Sequence, residues 1–131
     1  MLEKYPKEVR LVVKQYPLPM HAYARKASVA ALAADKQGKF WEMHHKLFAS
    51  QKELSDAKVD SLAQELGLNM EQFRQDLKDP AIAALIDRDM NSAMQANVQG
   101  TPTIFVNGRV LTQRNLAGFQ QAVDAALKRS N

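Results

Sequence analysis

The sequence predicts an α/β domain in which a strand, a block of helices, a β-hairpin and a final helix follow one another. Three observations predict it. A short valine-rich run, VRLVV at 9–13, stands just before Pro17 and Pro19. Apolar residues then recur at helical spacing from about residue 20 to 97, with Gly and Pro falling at segment borders. The period finally changes to that of strands around Asn107-Gly108.

Each element has a local reason. The run at 9–13 is too short for a helix before Pro17 and reads as a buried strand, which the two prolines stop by removing amide donors. Residues 20–36 are rich in alanine, from Ala22 to Ala34, without Gly or Pro, and read as a helix that Gly38 breaks. Residues 40–50 place Phe40, Met43, Leu47 and, beside them, Trp41 and Phe48 at helical spacing. Ser55 is the expected N-cap of a helix through Val59, Leu62, Ala63 and Leu66, closed by Gly67. Asn69 caps the next short helix, with Gln72 as capping-box partner and Met70, Phe73 and Leu77 on its apolar side. Asp79-Pro80 opens a helix to about Asn97 through Ile82, Leu85, Ile86, Met90, Ala93 and Met94, with proline at its first position.

Residues 103–106 and 109–111 read as the two arms of a hairpin about a type I′ turn at Asn107-Gly108. The last helix, about 115–129, is expected to bury Leu116, Phe119, Val123, Ala126 and Leu127, with Lys128 and Arg129 suiting its C-terminal dipole. No repeat, low-complexity stretch or long linker divides the chain.

Composition bounds the function. At 131 residues the chain can bury a core without disulfides or metals. The sequence holds no cysteine, which excludes disulfides, zinc–thiolate sites, iron–sulfur clusters and any thiol nucleophile within it. The net charge of +4 is too small and scattered to imply nucleic acid. Its distribution, +5 over 1–49, −4 over 50–90 and +3 over 91–131, suggests that the acidic middle forms a layer of its own. MLEKYPKEVR at the start lacks the apolar run of a signal peptide, and no window approaches the ~20 apolar residues of a membrane span. The expectation is a soluble chain without an export signal or membrane partner.

The most informative run is VQGTPTIFVNGRVL at 98–111. A proline at a strand entrance belongs at an edge or a special turn, and X-Pro is the bond with a realistic cis population. This run resembles the cis-proline loop and hairpin of the DsbA-like thiol–disulfide oxidoreductases, a thioredoxin-fold family. Residues 5–48 are also similar to that family: a strand, a Pro-rich turn, His21, an alanine-rich helix and KFWEMHHKLF. The resemblance covers nearly the whole chain. It implies a thioredoxin-like part at 1–19 and 98–131 and an inserted helical domain at 20–97.

The departure from the family lies at the start. The family begins with a central strand and a Cys-x-x-Cys at a helix N-terminus, where the first thiol is acidified. Here residues 1–5 resemble only the tail of that helix, so the expected fold is incomplete, with its first, central strand missing. That strand would lie between 9–13 and 103–106. Its absence predicts exposed strand edges and a homo-oligomer formed through them.

The resemblance implies a parent activity of thiol–disulfide exchange on periplasmic or other extracytoplasmic proteins. No catalytic residue can be assigned here, and the chain itself is expected to be redox-inactive. Two readings stay open: a truncated piece of a longer oxidoreductase, and a cysteine-free binding or scaffold domain. A glutathione-dependent enzyme on the same fold finds no matching nucleophile or motif. The residue before the family's cis-proline offers its backbone to extended substrate, so Thr101 and Pro102 are the expected sites for extended or unfolded polypeptide.

No cofactor or metal is expected. His44 and His45 are neighbours on a helix and diverge by about 100°. Asp87 and Asp89 share no helical face. Ser28, Ser50 and Ser55 lie in no nucleophile motif. The six methionines suit core filling.

Overall fold

The computed structural model describes residues 3–18, 21 and 23–130. The expected stop at Pro19, the helix start at Met20 with Ala22, and Met1 and Leu2 of the expected helix tail lie outside the described residues. The element order is α1 (Ala24–Asp35), α2 (Phe40–Ala49), α3 (Asp56–Glu65), α4 (Met70–Asp76), α5 (Pro80–Gln95), β1 (Phe105–Val106), β2 (Arg109–Val110) and α6 (Leu116–Ser130). The chain divides into two compact units, one of Lys14–Ala96 and one of Met1–Val13 with Asn97–Asn131.

The helical unit is built on close approach. Ala30, Ala31, Ala33 and Ala34 of α1 are buried, and α1 packs chiefly against α2 and then α5. Met43, Phe73 and Ile86 are fully buried in the same cluster as these alanines. Small residues on one helix let neighbours come near enough for these larger side chains to fill the space at crystal-like density. The helices α3, α4 and α5 each start at a residue whose side chain caps them. Ser55 Oγ accepts the Lys58 N–H at 3.0 Å, Asn69 Oδ1 accepts the Gln72 N–H at 3.1 Å, and Asp79 Oδ1 accepts the Ala81 N–H at 2.9 Å beside Pro80. Gly67, at φ 71°, occupies the left-handed conformation that ends α3's turn.

The capping box expected at Asn69 is half formed. Gln72 does not return to the Asn69 N–H. It donates instead to Asp76 Oδ1 at 3.0 Å, and the Asn69 N–H donates to Gln37 Oε1 at 2.8 Å. A tertiary partner has displaced the local one. Ion pairs tie the helices at their edges: Arg74 makes two bonds to Asp60, at 3.0 and 2.9 Å, and Lys36 pairs with Asp79 and lies 3.6 Å from Asp76. The Arg74 guanidinium holds the Asp60 carboxyl below its ordinary range, and Lys36, with the Ala81 N–H, does the same for Asp79.

The other unit carries the hairpin. β1 and β2 pair antiparallel in the register Phe105↔Val110 and Val106↔Arg109. Asn107 and Gly108 have φ of 47° and 80°, the positive pair that a type I′ turn demands. The arms are shorter than expected, but the Leu111 N–H still donates to the Ile104 carbonyl at 2.7 Å. Asn115 starts α6, its Oδ1 accepting the Gly118 N–H at 2.8 Å. The Tyr5 hydroxyl donates to Asp124 of α6 at 2.6 Å, and this bond, with burial, raises the phenol above its ordinary pKa.

Two expectations are corrected here. Residues 9–13 form no strand, and Leu11 and Val12 are exposed rather than buried. Among the described residues the sheet has two strands, β1 and β2, so VRLVV has no ladder partner, and β propensity without a neighbour does not make a strand. Leu116 is also exposed, because the first turn of α6 lies beyond the buried stripe that Val123 and Ala126 define. Among the described residues the architecture is a block of five helices, a two-stranded hairpin and a closing helix.

Candidate functional site

The loop that enters the hairpin is set by three local devices. Asn97 turns the chain out of α5 at φ 60°, a conformation asparagine tolerates. The Thr101–Pro102 peptide bond is cis. The carbonyls on either side of Thr101 are then fixed: the Thr103 hydroxyl donates to the Gly100 carbonyl at 2.6 Å, and Arg114 Nη1 donates to the Pro102 carbonyl at 2.5 Å.

Between those two clamps Thr101 is exposed, and its own N–H and C=O make no hydrogen bond with any described residue. Pro102 is exposed beside it. The loop thus presents one bare peptide edge held from both sides. Such an edge can receive the main chain of an extended segment, because an unpaired N–H and C=O at strand spacing form half of a ladder rung.

Arg114 escapes a reading of the sequence. It lies in the short link between hairpin and α6, where an arginine is unremarkable. Its charge-assisted bond to a main-chain carbonyl follows only from the fold.

The other candidates have separate partners. His44 stacks on Phe40 (ring centroids 5.5 Å apart) and lies 4.8 Å from the Phe48 ring, and burial, then His45, lowers its pKa. The His44 and His45 rings are 5.7 Å apart and near perpendicular. Asp87 accepts from Arg25 at 2.8 Å, whereas Asp89 accepts the Gln15 N–H at 3.0 Å. Ser28 is buried in α1, Ser50 follows α2 and Ser55 serves as a cap. No three metal-ligating side chains converge among the described residues. No helix there is long and apolar enough to cross a membrane.

Comparison with known proteins places this geometry. The thioredoxin family model described as "Thioredoxin" matches residues 1–125. A solved thioredoxin-like oxidoreductase from Silicibacter pomeroyi superposes with a TM-score of 0.69 at 28% identity, over 88% of this chain and 66% of that one. Two curated relatives are the Na(+)/H(+) antiporter NhaA 3 of Salinispora tropica, 46% identical over 77% of this chain, and the Na(+)/H(+) antiporter NhaA of Herminiimonas arsenicoxydans, 38% identical over 79%. In each case the similarity spans 16% of the relative's length. With a match over 1–125 and a helix-inserted architecture ending in a cis-proline hairpin, the chain belongs to the thioredoxin family, in its DsbA-like form.

Proposed function

We propose that this chain is the polypeptide-docking part of a DsbA-like thiol–disulfide oxidoreductase and is redox-inactive by itself. The observation that carries the reading is the bare peptide edge at Thr101, clamped by Thr103 and Arg114. Extended or unfolded polypeptide would pair with Thr101 and pack on Pro102. Thiol–disulfide exchange needs a thiolate, and the sequence has no cysteine to supply one. In this reading a longer polypeptide carries the Cys-x-x-Cys and the central strand, and the site of action is extracytoplasmic.

Exposed Leu11 and Val12 support a second part of the proposal, that isolated copies associate through residues 9–13. Analytical ultracentrifugation tests it: a concentration-dependent dimer lost in Val12→Lys is expected, and a monomer at all concentrations overturns it.

Docking is tested by titrating a labelled, thiol-blocked unfolded insulin B chain onto the protein. Saturable binding is expected, retained in Thr101→Ala, which keeps the peptide edge, and lost in Thr101→Pro, which removes the N–H. Equal binding by both variants overturns the docking role. Insulin reduction by the purified chain above the dithiothreitol background overturns the redox-inactive reading.

A non-catalytic binding module is the competing reading. The similarity to about one sixth of two antiporter chains favours it, since a domain of this kind can be carried within a larger protein. The reading frame upstream of Met1 separates the two: an in-frame strand with Cys-x-x-Cys supports the oxidoreductase, and its lack supports the module.

A further inference from the structure

A groove of about 330 Å³ lies between β2 and α6, formed by other residues than the Thr101 loop. One wall is the chain from Arg109 to Gln113, and the other is the α6 stripe of Gly118, Ala122, Ala125 and Arg129. At one end the walls touch: a Cβ on Gly118 would lie 1.9 Å from the Gln113 carbonyl oxygen. Arg109 on one wall and Arg129 on the other both line the groove.

Neither guanidinium has an ion pair or hydrogen bond with any described residue. Asp124 is the one acidic residue in 97–131, and it already accepts from Tyr5. Two uncompensated arginines lining one groove are an invitation to carboxylates, with which guanidinium makes paired, charge-assisted bonds.

The same wall carries a free main-chain edge. The Leu111 N–H bonds to Ile104, and Val106 pairs with Arg109. Alternation along an antiparallel pair then turns the N–H and C=O of Val110, between them, away from β1. Val110 is exposed and has no described partner on that side.

We infer that this groove receives an extended acidic polypeptide segment, which adds as a third strand beside β2 and sets its carboxylates against Arg109 and Arg129. Backbone pairing would supply affinity, and the two arginines would select for acidic side chains.

The test is fluorescence anisotropy with a labelled Val-Thr-Val-Glu-Glu peptide, its Lys-Lys counterpart and an acidic version with N-methylated alternate amides. The acidic peptide is expected to bind saturably and more weakly at high salt, while the other two fail. Arg109→Glu/Arg129→Glu is expected to weaken binding by about tenfold or more. Thr101→Pro should leave it unchanged, so loss of the Thr101 docking role would leave this inference standing. Equal binding of the acidic and basic peptides, or full affinity in the double variant, overturns it. Retained binding of the N-methylated peptide overturns the strand-addition geometry.

Discussion

Residues 14–96 and the unit formed by 1–13 with 97–131 are built to different standards of closure. In the first, Phe73, Met43 and Ile86 are fully buried among four alanines of α1, and α3, α4 and α5 are capped by Ser55, Asn69 and Asp79. In the second, the buried hydrophobics among the described residues are Tyr5, Leu111, Val123 and Ala126, while Leu11, Val12, Phe105 and Val110 are exposed. Helices satisfy their backbone internally, so the helical unit leaves few main-chain groups open, although Trp41, Phe48 and Met94 are exposed on it. The two-stranded hairpin leaves main-chain groups open at Thr101 and Val110. The lesson is a contrast in closure: the insertion satisfies its own main chain, and open main-chain groups lie where the sheet is thin.

Several substitutions would sharpen or break this contrast. Phe73→Ala should destabilise the most, by about 3–5 kcal/mol, because it empties a site with no exposed surface through which to relax. Urea unfolding followed by helical circular dichroism measures this, and a loss below about 1 kcal/mol would mean the helical core is looser than the full burial of Phe73 implies. Gly118→Ala comes next, at about 1–3 kcal/mol, since its methyl would overlap the Gln113 carbonyl and push the link off α6. A lower melting temperature with shifted amide resonances at Gln113 is the expected signature. Ser55→Ala should cost about 1 kcal/mol through the lost cap on α3, and Asn69→Ala a similar amount on α4.

The smallest effect is that of acid. Asp60 and Asp79 have carboxyl groups held below their ordinary pKa by Arg74 and Lys36. A depressed folded-state pKa means stability present above the unfolded value and lost as pH falls through the folded one. The helical unit should therefore weaken below about pH 4, modestly because these pairs are solvent-exposed. Asp60→Asn should flatten that dependence in melts across acidic pH.

The helical unit was the more legible in sequence, and the reasons are local. A serine or asparagine before an apolar stripe, or Asp-Pro at a helix entrance, carries its geometry within a few residues, as does Asn-Gly in a tight turn. What required neighbours could not be read this way. VRLVV has strand composition, but a strand exists only beside another, and the described residues give 9–13 none. Gln72 matched a capping box, yet Gln37, distant in sequence, took the Asn69 N–H. The Thr101 loop was visible as a motif, whereas the Arg114 clamp and the groove that Arg109 and Arg129 both line depend on how the chain after the hairpin folds.

Native-state hydrogen exchange, read amide by amide, tests the central contrast most directly. The amides of Ala33 and Ile86 should exchange only through global unfolding, whereas those of Thr101 and Val110 should exchange nearly as fast as in an open chain. Protection of Thr101 and Val110 equal to that of Ala33 and Ile86 would contradict it, since those edges would then already be occupied.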